Sequence, residues 1–182
     1  TIDKLPVWNY DGSSTGQAVT ENSEVELRPV KMIRDPFRDT ESSFLVLCET
    51  YNTDGTAHRD NTRSLAVTVF NMESEHKEPM FGLEQEFFIS RQTASGVVPV
   101  AFPDNQHFPR PQGDYYCGVG GANVYGRQHV EEILKKLVYC ELPITGMNAE
   151  VAPGQWEFQV CSVGIDAADS LILVRYIINR VL

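Results

Sequence analysis

The chain has 182 residues, 42% hydrophobic and 10% aromatic, with 25 acidic against 15 basic side chains and a formal net charge of -10. That is enough apolar material for the core of one domain with a small appendage. No basic stripe exists to neutralise phosphates and no apolar run approaches bilayer length, so neither nucleic acid nor a membrane is expected as a partner. In chain order, the first half is loop-rich and strand-like. Gly, Ser and Thr cluster after Tyr10, and 44–48 (Phe-Leu-Val-Leu-Cys) has strand composition, which predicts a small sheet. Residues 61–72 carry two periods. Leu65, Val67 and Val69 alternate as on a strand, while Asn61 or Thr62 is placed to cap a helix. Residues 93–112 are rich in Pro, Gly and polar side chains without period, a long loop of the kind compact domains keep for function or flexibility. Within 124–142, Val130, Ile133, Leu134, Leu137 and Val138 fall at helical spacing, with Glu131 and Glu132 four residues ahead of Lys135 and Lys136. Residues 166–182 open on acids and then turn apolar on nearly every side, predicting a buried helix.

Two pairs of carboxylates stand out. Glu84 and Glu86 lie in 81–89 (Phe-Gly-Leu-Glu-Gln-Glu-Phe-Phe-Ile), a run of strand composition in which side chains two apart share a face. Glu150 and Glu157 flank Pro153-Gly154 in 149–160 (Ala-Glu-Val-Ala-Pro-Gly-Gln-Trp-Glu-Phe-Gln-Val), which reads as two short strands joined by a turn. With Pro153 and Gly154 at the turn centre, Ala152 faces Gln155, Val151 faces Trp156 and Glu150 faces Glu157. Pro-Gly favours a type II turn, which splays a tight hairpin, so a slipped register and a longer loop stay open. Alternating glutamates are ordinarily a solvated strand face. Here Leu83, Phe87, Phe88, Val151, Trp156, Phe158 and Val160 surround them, so the acids are set into core-forming strands and need a partner. All-oxygen ligands suit Mg²⁺ or Mn²⁺, and two adjacent ions suit phosphoryl transfer.

The cysteines (Cys48, Cys117, Cys140, Cys161) lie in apolar or strand-like surroundings without metal-type spacing, and no leader resembles a secretory signal. Reduced structural thiols in a cytoplasmic protein are the expectation, an organelle form staying open.

Four segments, 81–87, 109–118 (Pro-Arg-Pro-Gln-Gly-Asp-Tyr-Tyr-Cys-Gly), 146–160 and 5–18 (Leu-Pro-Val-Trp-Asn-Tyr-Asp-Gly-Ser-Ser-Thr-Gly-Gln-Ala), resemble the eukaryotic-type glutamine synthetases and occur in that family's order. The match runs from about Leu5 to the last residue. The resemblance implies an α+β fold: a curved antiparallel sheet with flanking helices, preceded by the remnant of a small β-grasp domain. It places that remnant and a linker at 1–52 and the first part of the catalytic domain at 53–182, and it favours helix at 61–72. It implies ATP-dependent ligation of ammonia to L-glutamate through γ-glutamyl phosphate, in a ring-stacked homo-oligomer, a decamer, whose sites lie between neighbouring subunits.

Residue by residue, Glu84, Glu86, Glu150 and Glu157 stand where the family has metal-binding glutamates. Glu86, Glu150 and Glu157 would hold one Mg²⁺ or Mn²⁺, and Glu84 would contribute to a second. The stretch Glu157, Phe158, Gln159, Val160, Cys161 and Ser162, with Glu84, matches the part lying along ATP, although Cys161 replaces a Gly-Pro and shortens it by one residue. Met80 stands where relatives have an aromatic beside the adenine, and Thr145 near a common Ser. Asp11 matches the aspartate that reaches across the interface to bind ammonium and take its proton; by itself, Asp11-Gly12 is ordinary turn chemistry. Arg38 and Arg63 match basic positions without an assigned role, and His58, His76, His107 and His129 match no ligand and read as surface or loop histidines.

The last helix ends at Arg180-Val181-Leu182 with no capping glycine and the first residue is Thr1, so the chain reads as a piece cut from a longer protein. On this reading the family's metal-binding His, glutamate-binding segment, phosphate-holding arginines and last metal-binding Glu lie elsewhere. Two functions follow: part of a working ligase, or a non-catalytic relative keeping the fold for assembly. Departures at Arg110, Asp114, Met80 and Cys161 lean toward the second, and the intact acids lean more strongly toward the first.

Overall fold

A computed structural model describes residues 1–73, 77–102 and 113–182, with Met72 and Glu73 in backbone only. His76, His107, Arg110 and the second half of the loop expected over 93–112 lie outside the described residues. The chain forms two compact units, Thr1–Pro79 and Met80–Leu182.

In the first unit, β1 (Trp8–Asp11), β2 (Glu24–Arg34) and β3 (Phe44–Tyr51) make the expected small sheet, antiparallel in that order. Its register shifts between Pro29 and Lys31, where the proline has no N–H to give the ladder. The ambiguous stretch is α1 (Thr62–Glu73). Asn61 decides it: its side-chain oxygen accepts from the Ser64 amide at 3.1 Å, an N-cap, and its side-chain amide donates to the Thr50 carbonyl at 3.0 Å. Leu65 and Val69, one turn apart, both stay exposed, so α1 leaves an apolar strip in solvent. Arg63 pairs with buried Glu49 and the His58 amide donates to the Thr50 carbonyl, fastening 58–63 to β3. The compact unit ends at Pro79.

In the second unit, β4 (Met80–Phe88) is followed by a hairpin of β5 (Ser90–Thr93) and β6 (Gly96–Pro99), so the front of the expected 93–112 loop is a strand. Then come α2 (Arg127–Tyr139), β7 (Ile144–Ala149), β8 (Gln155–Val163) and α3 (Ile165–Val181). The main sheet is antiparallel with β8 central, in the order β4-β8-β7. Period two sorts its faces. Leu83, Gln85 and Phe87 of β4 pair with Val160, Phe158 and Trp156 of β8 on one face, and the last three are 0–1% exposed. Phe87 and Phe158 stack with centroids 6.0 Å apart. Burying each such side chain contributes roughly 1.5–3 kcal/mol, which fixes the register and with it the opposite face.

On α2, Val130, Ile133 and Leu137 are buried as spaced, while Val138 is exposed. Lys136 pairs with Glu132 at 3.0 Å, but Glu131 meets Arg127 at 3.6 Å. Helix α3 is less enclosed than its composition implies. Ala167, Ser170, Leu173, Val174, Ile177 and Ile178 form one buried face, and Ile172 and Tyr176 remain exposed. No helix of the described residues is long and apolar enough to cross a membrane. All four cysteines are free thiols; Cys117 is exposed, contrary to the apolar setting expected of it, because it lies on an irregular segment with φ of 52°.

Candidate metal centre

The turn between β7 and β8 is centred on Pro153-Gly154, as its residue types dictate. The Gln155 amide donates to the Ala152 carbonyl at 3.1 Å and Gly154 has φ of 77°, the left-handed value a type II turn demands at its third position. Beyond it the register departs from the expectation. The Glu150 amide donates to the Gln155 carbonyl at 2.9 Å and Ala149 pairs with Trp156, so Val151 and Ala152 are extra residues and the ladder slips by two. Glu150 therefore lies opposite Gln155, and Glu157 lies opposite Asn148 on one side and Glu86 on the other. Like charges directly opposed on a sheet destabilise it. The predicted Glu150–Glu157 facing is replaced by Glu86–Glu157.

The carboxylates still converge. One oxygen from each of Glu86, Glu150 and Glu157 lies within 4.8 Å of the others. Glu150 and Glu157 are buried, at 8% and 4% exposure, whereas Glu84 and Glu86 are exposed, so the expectation of acids enclosed by core strands holds for two of four. Two ionised carboxylates at such separations repel by roughly 3 kcal/mol at an effective dielectric of about 20. The set accordingly suits a cation. Oxygen ligands about 2.1 Å from Mg²⁺ stand at most about 4.2 Å apart, so small rotamer changes close these three on one ion. Glu84 shares the face, opposite Gln159, and stands outside that triad among the described residues.

Amides hold the carboxylates. Gln155 donates to Glu86 at 2.5 Å, Asn148 to Glu150 at 3.0 Å and Gln159 to Glu157 at 2.7 Å; Gln159 also donates to Asn148 at 2.9 Å. The backbone amide of Val151 donates to the second oxygen of Glu150 at 3.0 Å. Gly146 makes the space that Gln159 occupies, since a Cβ there would collide with its carboxamide. Burial pushes the Glu157 carboxyl above its ordinary value, against the Gln159 hydrogen bond, and Glu150 and Glu84 push the same way as burial. The Tyr116 phenol is raised mainly by Cys117 beside it and then by the charges of Glu150 and Glu157. Asn148, Gln155 and Tyr116 were not expected at the site, and Gln159 was expected along ATP rather than as a support for a carboxylate. The signal for two of them was present: 155, 157 and 159 share a strand face by period two.

Along the stretch matched to nucleotide binding, Phe158 and Val160 are fully buried on the core face and paired on both sides in the sheet, which leaves the side chains of Gln159, Cys161 and Ser162 for any ligand. Ser162 donates to Asp166 at 2.6 Å, and Met80 at the head of β4 is 69% exposed. Asp11 belongs to the first unit. It caps a short 3-10 turn, Gly12–Thr15, accepting from the Ser13 amide at 2.9 Å, the Ser13 hydroxyl at 2.6 Å and the Ser14 hydroxyl at 2.9 Å. These bonds, the Ser13 hydroxyl first, hold its carboxyl below the ordinary value. Of the histidines, His129 is exposed as expected, but His58 is 4% exposed and hydrogen-bonded through both ring nitrogens. Arg38 pairs with Asp35 at 3.1 Å.

These features define an α+β protein whose central antiparallel sheet presents a carboxylate cluster fit for a divalent cation. The pattern of the family described as glutamine synthetase, catalytic domain, matches residues 59–182. Glutamine synthetase N-1 of Phaseolus vulgaris is 47% identical over 180 residues, covering 98% of this chain and 49% of its own length. A glutamine synthetase cytosolic isozyme of Pinus sylvestris is 45% identical over 183 residues, covering 100% and 50%. Glutamine synthetase 1, mitochondrial, of Drosophila melanogaster is 42% identical over 181 residues, covering 100% and 44%. The chain belongs to the glutamine synthetase family, and it spans about half the length of these relatives.

Proposed function

We propose that the chain supplies one acidic face and one ammonium-binding loop to a glutamate–ammonia ligase, in which ATP activates L-glutamate as γ-glutamyl phosphate and ammonia displaces the phosphate. The convergence of Glu86, Glu150 and Glu157 on one face of the sheet carries this reading. Those three would hold one Mg²⁺ or Mn²⁺, with Glu84 contributing to a second. When bound, such ions supply the positive charge that lets a γ-phosphoryl group meet an anionic carboxylate. Asn148, Gln155 and Gln159 fix the carboxylates in place. The stretch Glu157 to Ser162 lies along the nucleotide. Asp11, kept ionised by its three donors, binds ammonium from a neighbouring subunit's side of the site and takes up the proton whose loss frees ammonia to attack the acyl phosphate. Its depressed pKa makes it a better anion for ammonium than a base, so binding is its larger contribution.

The same reading assigns 1–52 to the remnant of a β-grasp domain with its linker and 53–182 to the first part of the catalytic domain, in a ring-stacked homo-oligomer, a decamer, of the cytoplasm. Rapid-quench assays on the assembled enzyme test the roles. Asp11→Asn should impair use of ammonia while γ-glutamyl phosphate still accumulates, and Glu157→Gln should impair phosphoryl transfer itself through lost metal affinity. Normal ammonia dependence in Asp11→Asn removes Asp11 from the mechanism, and normal phosphoryl transfer in Glu157→Gln removes the metal site.

A further inference from the structure

The far end of the loop that carries Asp11 is held by one short segment around His58. The His58 ring is buried, its Nδ1 accepting from the Asp60 amide at 3.1 Å and its Nε2 lying 2.9 Å from the Gln17 carbonyl. The Asp60 amide can only donate, so the ring proton sits on Nε2 and is given to Gln17. Beside it, the Arg59 guanidinium donates to the Gly16 carbonyl at 3.0 Å, and the Gln17 carboxamide reaches Asp60 at 3.5 Å. Gln17 in turn gathers its own loop: its side-chain oxygen accepts from Tyr10 at 2.5 Å and Thr15 at 2.6 Å, and its amide donates to the Gly12 carbonyl at 2.8 Å. The segment is itself fixed, the His58 amide to the Thr50 carbonyl at 3.1 Å and the Asn61 amide to the His58 carbonyl at 2.8 Å.

We propose that His58 is a positioning residue for ammonia use: through Gln17, and with Arg59, it holds the Gly12–Gln17 loop so that Asp11 is presented in one orientation. The near end of the loop is fixed by the sheet, Asp11 pairing with Glu24 and the Gly12 amide donating to the Ser23 carbonyl at 2.6 Å, but the Asp11 carboxylate bonds forward to Ser13 and Ser14, which move with the rest of the loop. Holding those serines in one place needs the far end pinned as well, at Gly16 and Gln17. A buried imidazole suits that task better than a lysine or arginine, since it donates and accepts at once without a charge to desolvate. The proposal rests on the ammonium-binding role given to Asp11 above.

Two readouts on the assembled enzyme test it. In His58→Ala, amide hydrogen exchange across 12–17 should quicken about fivefold, the effect of losing one buried hydrogen bond. The KM for ammonia should rise by a similar factor while those for glutamate and ATP stay unchanged. His58→Gln, whose amide reaches about where Nε2 does, should recover most of both. Should His58→Ala fail to fold, Arg59→Ala removes an exposed side chain and should shift both readouts the same way, by less. Unchanged exchange over 12–17, or faster exchange spread through β2 and β3, overturns the proposal. So does faster local exchange with an unaltered ammonia KM, and Asp11→Asn run alongside says which idea failed: if that variant raises the KM, only the restraint is wrong, and if it does not, the role of Asp11 is wrong.

Discussion

The acidic cluster of the second unit and the Asp11 loop of the first are both carboxylate sites, and they solve opposite problems. At Asp11 one acid is satisfied by three donors within its own turn, so its charge is stable without any ligand. At Glu86, Glu150 and Glu157 three acids crowd one another, two of them buried, with amides making the hydrogen bonds. Amide dipoles orient such a set but do not cancel its charge. The first site is ready beforehand, and the second is one that a cation would complete.

If that contrast is right, the largest response to mutation lies in the cluster. Glu150→Ala with Glu157→Ala should lower Mn²⁺ affinity by more than about a hundredfold, beyond what loss of a supporting residue alone costs, and should abolish the ion's effect on thermal melting. Mn²⁺ titration followed by electron paramagnetic resonance measures the first, and a double variant whose melting still rises with the ion would remove these acids as ligands. Gln155→Ala probes the amide support with a smaller expected loss, about tenfold in Mn²⁺ affinity. It frees Glu86, and it also frees the Ala152 amide, which donates to the Gln155 side chain at 3.3 Å. Unchanged affinity would mean that the β-ladder alone positions Glu86.

Much of this was legible in the chain. Period two in 81–89 put Glu84 and Glu86 on one face, and the Pro153-Gly154 turn was visible from its residue types. The partner of Glu150 was not, because the slip comes from two extra residues, Val151 and Ala152, whose bulging depends on the pairing of β8 with two neighbours at once. Exposure also escaped the sequence. Glu86 and Glu157 are cross-strand neighbours, each followed by a phenylalanine, yet one is exposed and the other 4% exposed, because β4 is the edge of its sheet and β8 the centre. His58 is a loop histidine as expected, but its burial was not legible for a related reason: a histidine between Ala57 and Arg59 carries no local sign that Gln17, 41 residues earlier, accepts its proton.

The smallest effect separates the two sites by sign. Glu157 has its carboxyl raised above 4.5, so between that value and its folded value the native chain binds more protons than the unfolded one. Its contribution to stability is therefore unfavourable at neutral pH and fades as acid is added through that window. Asp11 is shifted the other way, below 3.8, so its contribution is present at neutral pH and is lost as the pH falls from about 3.8 toward its folded value. Metal-free melting curves over this range, taken as differences from Glu157→Gln and from Asp11→Asn, should slope in opposite directions. The Glu157 difference should change first on acidification, because its window lies higher. Saturating Mg²⁺ should invert the Glu157 difference alone, since an ion held by ionised acids competes with protons there and makes the native state favour the charged form. Two difference curves of the same sign, or an Asp11 difference that follows Mg²⁺ as strongly as that of Glu157, would show that the two sites do not differ in the way their hydrogen bonds imply.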